Sequence, residues 1–302
     1  MKHFLIKISI FALILLLADQ IFGAFYPSLY HNTADTDSQK HHYIRDKSNE
    51  DILIFGSSRA SHHYNSQMLE DSIKLSCYNC GSDGEGVFLA YERLLLNTQR
   101  GHLPKIIIYD IEKAFDLYEG FNFNVFEFIK QDFEKEGVRE IFEDIDSTES
   151  YKMTSNMYRY NSSVLGFVKR LSLPSTQNEK ELIKGFDPLH GALDPLQIKT
   201  PSEEPLEIDS LKIKYIEKFI SLASKTKLIF VYSPIWYGMN IQQIQPIIDI
   251  CDKHNLPFIN FSNDPKYVHN DEYFKDGAHL NATGADEFTR DLIKRLKDEN
   301  LI

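Results

Sequence analysis

Four short runs of consecutive apolar residues constrain this chain most. Ile52-Leu53-Ile54-Phe55 ends at Gly56, and Ile106-Ile107-Ile108-Tyr109 ends at Asp110. Leu228 to Tyr232 ends at Ser233-Pro234, and Pro257 to Phe261 ends at Ser262. A strand with one wet face alternates apolar and polar residues. A run that is apolar throughout suits a strand covered on both faces, as in a parallel sheet. Lys74 to Asn79 is a weaker fifth candidate. Helical spacing fills the gaps, over Val87–Leu96, Ile208–Ala223, Ile241–Cys251 and Thr283–Leu296. The last carries Phe288, Leu292 and Leu296 on one stripe, with Thr283 and Asp286 as the expected cap pair. Strand alternating with helix predicts a three-layer, doubly wound α/β/α fold.

Residues 111–205 interrupt this rhythm. They are rich in Phe, Tyr, Asp and Glu, then in Ser and Pro. They are expected to form a largely helical insertion after the third strand, overhanging the carboxyl ends where such folds bind ligands. Phe121, Phe123, Phe126 and Phe128 read as packing the insertion on the core. The stretch carries no readable motif.

The N-terminus sets the expected location. Lys2 and Lys7 precede and interrupt an apolar run, Ile8 to Ala18, which resumes after Asp19-Gln20 as far as Tyr26. Phe4 to Tyr26 is long enough to cross a bilayer if Asp19 and Gln20 lie near the far interface. A basic start before an apolar stretch is either a cleaved secretory signal or an uncleaved anchor. Phe22-Gly23-Ala24 puts a bulky residue where a cleavage site wants a small one, which favours an anchor. The expected organisation is a signal anchor over 1–26, a polar linker over 27–49, and one domain over 50–302 outside the cytoplasm, on the periplasmic or extracellular side.

Composition excludes several classes. The apolar fraction of 42% and charged fraction of 25% are those of a globular chain, neither disordered nor polytopic. A net charge of −11 argues against broad nucleic-acid binding. Three cysteines cannot build a disulfide framework. Cys77 and Cys80 read as C-x-x-C, but on a strand rather than at a helix start where a thiol is activated. The pairs His41-His42 and His62-His63 lack the carboxylate spacing of a metal site. No metal or cofactor is expected.

Two motifs carry chemistry. Gly56-Ser57-Ser58-Arg59 follows the first buried strand, where a hydroxyl would face the crevice. Asp276-Gly277-Ala278-His279 precedes the last helix, and a carboxylate three residues before a histidine can fold back onto its ring. Each is unspecific alone. Together they fit one crevice at the carboxyl ends of neighbouring strands. Asp110, Glu112 and Asp116 lie near a strand end, either lining the crevice or simply solvated.

These blocks resemble the SGNH (GDSL-like) hydrolase superfamily. Gly56-Ser57-Ser58 matches its first block, with Ser57 where an aspartate is usual. Asn79-Cys80-Gly81-Ser82-Asp83-Gly84 looks like its second, and Asp276 to Asn281 matches its last; the likeness runs over about 51–298 outside the insertion. The resemblance implies a flavodoxin-like fold, with Ser58 as nucleophile, His279 as base and Asp276 orienting it. Ser57 and Ser61 are rivals for the nucleophile. The oxyanion donors would be the N–H groups of Ser58 and Gly84. The third block is missing: the strand ends Tyr109-Asp110-Ile111-Glu112-Lys113, without the Asn that donates to the oxyanion. Arg59 would be a substitute donor, a clamp for an anionic substrate, or simply a surface or salt-bridged arginine. The resemblance is closest to membrane-anchored branches that handle acyl groups of cell-envelope polymers. It implies an esterase or O-acyltransferase acting on acylated, foremost acetylated, polysaccharide, the transferase drawing on a membrane acyl-donor partner. Two other readings stand beside it: an inactive polysaccharide-binding or assembly protein that keeps the fold, and a cytosolic lipase-type enzyme, against which the apolar N-terminus speaks.

Overall fold

A computed structural model describes residues 1–33, 36–161, 164, 182–195, 198 and 207–302. They fall into two compact units, one drawn from 1–39 and 126–179, the other from 40–125 and 180–302. The parts of the expected insertion at 162–163, 165–181, 196–197 and 199–205 lie outside the described residues.

The second unit holds the sheet. Its strands are β1 (Ile52–Gly56), β2 (Cys77–Asn79), β3 (Ile106–Asp110), β4 (Lys227–Tyr232) and β5 (Phe258–Asn260). All neighbours are parallel, in the order β2-β1-β3-β4-β5. This is the flavodoxin-like order, whose switch point lies between β1 and β3. β1 and β3 are buried along their whole length, as the unbroken apolar runs require.

The two sheet faces are covered by different helices. Ile52, Ile54, Ile106, Ile108, Ile229 and Val231 face one core, shared with α3 (Ser58–His63), α4 (Ser66–Ile73) and the C-terminal helix Ala282–Asp298. The alternate residues Phe55 and Tyr109 face the other way. Both set their rings edge-on to Phe219, at 5.4 and 5.1 Å. Phe219 belongs to the helix Ser210–Leu222, which packs beside α5 (Val87–Gln99) through Phe88 and Tyr215. The layers are therefore helix, sheet, helix.

Local details differ from expectation for physical reasons. Lys74 is not strand: it takes a left-handed conformation (φ 63°) and closes α4, which Asn65 opens by accepting the Met68 N–H. The C-terminal helix is capped by Asn281, whose side chain accepts the Gly284 N–H. Thr283 lies two residues past the cap, and Asp286 instead accepts a bond from Asn65 Nδ2. Within the polar stretch read as a linker, α2 (Thr36–Asp46) is helical. Its Lys40 Nζ donates to the carbonyls of Gly81 and Gly185 at 2.6 and 2.7 Å.

The expected insertion does not act as one block. Residues 111–125 and 182–195 belong to the sheet unit. Lys212 Nζ holds the first of these by donating to the carbonyls of Ala114, Tyr118 and Gly120 at 2.8, 2.5 and 2.7 Å. The second crosses the outer edge of β2, where the Asn79 N–H donates to the Lys184 carbonyl at 2.9 Å. Phe121 and Phe123, expected as packing mass, are 58% and 60% exposed.

The first unit contains α1 (Lys2–Thr33) and the helices Phe126–Ile129, Val138–Ile145, Ser147–Lys152 and Asn156–Arg159. Here the aromatics pack among themselves, with Phe126 stacked on Phe142 at 4.6 Å and Phe133 edge-on to it at 5.3 Å. Lys2–Pro27 of α1 is long and apolar enough to cross a bilayer. That is weak evidence of an anchor or a signal sequence.

Candidate active site

β1 ends in a turn that only glycine permits. Gly56 has φ +137°, and a Cβ there would sit 2.4 Å from the Asp110 carbonyl oxygen. The chain then enters α3, with Ser57 at the N-cap and Ser58 as the first helical residue. Ser57 is fully buried and Ser61 is 4% exposed, whereas Ser58 is partly exposed. Of the three serines weighed for the nucleophile, Ser58 alone has solvent access.

Ser58 meets the second motif. Its Oγ lies 2.8 Å from His279 Nε2, across 221 positions of sequence. His279 Nδ1 lies 3.0 Å from both carboxylate oxygens of Asp276. Asp276 Oδ1 also accepts the backbone N–H groups of Ala278 and His279, at 2.8 and 2.9 Å. Burial raises the Asp276 pKa, but the bonds from His279 and the backbone outweigh it, so the carboxyl titrates below its usual range. An ionised Asp276 keeps the His279 proton on Nδ1. That leaves Nε2 free to accept the Ser58 hydroxyl proton.

The loop after β2 comes to the same place. The Ser82 N–H donates to the Gly56 carbonyl at 3.2 Å, and the Cys80 N–H to the Ile54 carbonyl at 2.7 Å. Gly84 follows, its carbonyl accepting from Asn124 Nδ2 at 3.1 Å. The Ser58 N–H belongs to a first helical turn, where amides lack intrahelical partners.

Arg59 is 1% exposed and points inward. Its Nε lies 2.5 Å from Glu112 Oε2, and its other nitrogens donate to the carbonyls of Ser233 and Ile111. The guanidinium also sits 4.1 Å over the Tyr232 ring. Burial opposes its charge, but Glu112 more than restores it and raises its pKa. Of the readings weighed for Arg59, this geometry is that of a salt-bridged structural residue.

The third-block strand end has a different use. Asp110 is fully buried; Oδ1 accepts the Ser233 N–H at 2.9 Å and Oδ2 the Ser233 hydroxyl at 2.8 Å. Ser233 Oγ in turn lies 3.0 Å from His63 Nδ1, and His63 Nε2 accepts the Leu280 N–H at 3.0 Å. Since Nε2 accepts, the His63 proton is on Nδ1 and points to Ser233. Burial, then the neighbouring His279, Arg59 and His62, push its pKa well below the usual histidine value. Burial pushes the Asp110 carboxyl up to about 6 and the Asp116 carboxyl up to about 7. Asp116 accepts from Tyr109 Oη and the Glu112 N–H. Neither buried carboxylate lines an open crevice.

His62 and His63 diverge to different partners. His62 Nδ1 lies 2.6 Å from the Asp187 carbonyl and Nε2 lies 3.1 Å from Asp83 Oδ1. Burial lowers its pKa, but Asp83 and Asp187 more than offset this and raise it. Cys77 and Cys80 are buried free thiols, and burial pushes Cys80 up to about 12. Such thiols are unreactive.

His63, Ser233, Asn124 and the His62–Asp83 pair were missed by motif reading. His63 stood in the sequence only as half of a histidine pair. Only the three-dimensional partners show its bridging position.

No family model matches the sequence, and no curated protein matches it. Solved structures resemble the fold loosely. A Streptococcus pneumonia protein described as a platelet activating factor shares 13% identity at TM-score 0.40, covering 94% of this chain and 98% of that one. A family two carbohydrate esterase from Clostridium thermocellum shares 8% at TM-score 0.39, covering 84% and 65%. An acetyl xylan esterase from Butyrivibrio proteoclasticus shares 8% at TM-score 0.35, covering 82% and 63%. The chain thus spans under two thirds of either esterase's length.

Proposed function

We propose that the protein is a membrane-anchored serine esterase or O-acyltransferase of SGNH type, acting on acyl esters of cell-surface polysaccharide. One observation carries the reading: a partly exposed serine hydroxyl 2.8 Å from a histidine Nε2 whose Nδ1 is held by a carboxylate. A binding module has no need of all three groups in register.

The chemistry runs as acyl transfer. Ser58 Oγ attacks the ester carbonyl carbon while its proton passes to His279 Nε2. The N–H groups of Ser58 and Gly84 receive the oxyanion. The ester C–O bond breaks, and the leaving alkoxide takes the proton from His279. Water, or a sugar hydroxyl, then gives its proton to His279 and attacks the acyl-Ser58 carbonyl. Ser58 leaves with that proton. Water as acceptor makes an esterase; a sugar hydroxyl makes a transferase, fed by an activated donor from a membrane partner. Asp276 stabilises the imidazolium in both halves. Lys2 and Lys7 would hold the N-terminus in the cytoplasm and place the body outside.

The test uses the full-length chain in detergent, treated with an activated acetyl ester. An acetyl adduct on Ser58, absent in Ser58→Ala, is the expected result. Well-folded protein with no adduct would favour the inactive polysaccharide-binding reading, which the missing third-block Asn motivates.

A further inference from the structure

Asp19 lies inside the longest apolar stretch of the chain, where an unpaired carboxylate is costly. It is fully paired. Oδ1 accepts the Ser155 hydroxyl at 2.7 Å and the Met157 N–H at 2.8 Å. Oδ2 accepts the Asn156 N–H at 3.0 Å and Asn156 Nδ2 at 3.1 Å. One carboxylate on α1 thus satisfies the opening amides of the helix Asn156–Arg159.

Three neighbours on α1 complete the fit. A Cβ on Gly23 would lie 2.3 Å from Asn156 Cγ, so the close approach depends on glycine. Phe22 and Tyr26 stack at 4.7 Å, and Tyr160 packs on them at 6.4 and 5.5 Å. Asp19, Phe22, Gly23 and Tyr26 stand at i, i+3, i+4 and i+7, one stripe of a helix. Burial follows the stripe. Tyr26 is 5% exposed, while Ile21 and Phe25, on the opposite side, are 60% and 68% exposed.

A leader that is removed needs an apolar core and a cleavage site. It needs no stripe shaped to the protein it leaves. We propose that α1 is retained in the mature protein, and that its Asp19–Tyr26 stripe is the docking surface for the 153–160 segment at the point where the anchor meets the bilayer surface. Cleavage after Ala24 would strip Ser155, Asn156 and Met157 of their shared acceptor and remove Phe22 from Tyr160. The proposal stands on contacts within this one unit, independent of the acyl-transfer reading.

The test uses the full-length chain in membranes, as wild type, Asp19→Ala, Gly23→Leu and Phe25→Leu. Intact mass reads whether residues 1–26 are present. Amide hydrogen exchange reads Asn156 and Met157. The expected result is a mass that includes residues 1–26, with exchange at those amides faster by about tenfold or more in Asp19→Ala and Gly23→Leu and unchanged in Phe25→Leu. Gly23→Leu adds only apolar bulk, so it reads docking even if Asp19→Ala fails to assemble. A membrane-bound protein lacking residues 1–26 overturns the proposal. So does unchanged exchange in Gly23→Leu, or equal loss in Phe25→Leu.

Discussion

The Leu280 N–H donates to His63 Nε2 at 3.0 Å, joining residues 217 positions apart. Leu280 directly follows His279, so this bond ties the His279 loop to the helix that carries Ser58. Ser233 and Asp110 behind His63 hold its proton on Nδ1, the tautomer that leaves Nε2 as acceptor.

Substituting His63 tests this tie. Gln keeps an acceptor, and Phe keeps only bulk. Removing a buried hydrogen-bond partner costs about 1–3 kcal/mol. In a hydrolysis assay, His63→Phe is expected to lower kcat by roughly tenfold or more with KM little changed, and His63→Gln to recover part of it. Equal kcat in both variants would remove His63 from the positioning of His279.

The same histidine predicts a pH dependence of stability. Its folded-state pKa is depressed, so below about 6.5 the unfolded chain binds a proton that the folded one refuses. Its contribution is fully present above that pH and is lost as pH falls toward the folded value. Urea midpoints between pH 7.5 and 5.5 should therefore fall less steeply for His63→Gln than for wild type.

Substitutions in the triad should separate by role. Ser58→Ala is expected to abolish turnover and adduct formation. Asp276→Asn no longer fixes the His279 tautomer, and a loss of roughly 10²–10⁴ in kcat is expected. An Asp276→Asn enzyme within threefold of wild type would show that the carboxylate does not orient the base.

Arg59 should behave as structure. Removing one partner of a buried ion pair costs about 3–5 kcal/mol. Arg59→Met is expected to lower the urea midpoint strongly while leaving the KM of the folded fraction unchanged. A raised KM at unchanged stability would instead favour the substrate-clamp reading.

Asn124 tests the Gly84 loop. Its amide holds the Gly84 carbonyl at 3.1 Å from an exposed position. Asn124→Ala is expected to reduce kcat by about two- to tenfold, the worth of one hydrogen bond. An unaltered rate would mean the loop keeps its place without it.

The legible parts were those whose signal is local. β1, β3 and β4 announced themselves because strands buried on both faces cannot alternate. Ser58 stood in a short motif at a strand end and Asp276 and His279 in one before the last helix, and the fold brings them within hydrogen-bond reach. The illegible parts depend on distant partners. α2 reads as polar linker because its Lys40 is satisfied by carbonyls 41 and 145 positions away. Asn281 outcompeted the Thr283–Asp286 cap pair because Asp286 has Asn65 to hold, 221 positions away. Arg59 beside Ser58 invites a substrate role, and only the position of Glu112 shows which way it turns.

The crossing of β2 by residues 183–186 bears on how the protein avoids self-association. An uncovered parallel strand edge is a template onto which another chain can crystallise as a further strand, the first step toward fibrils. Here the Asn79 N–H is already engaged by Lys184, and a buried ammonium from Lys40 pins the carbonyl beside it. The sheet is covered on that side by its own chain, so crowding would bring copies together without fusing their sheets along that edge.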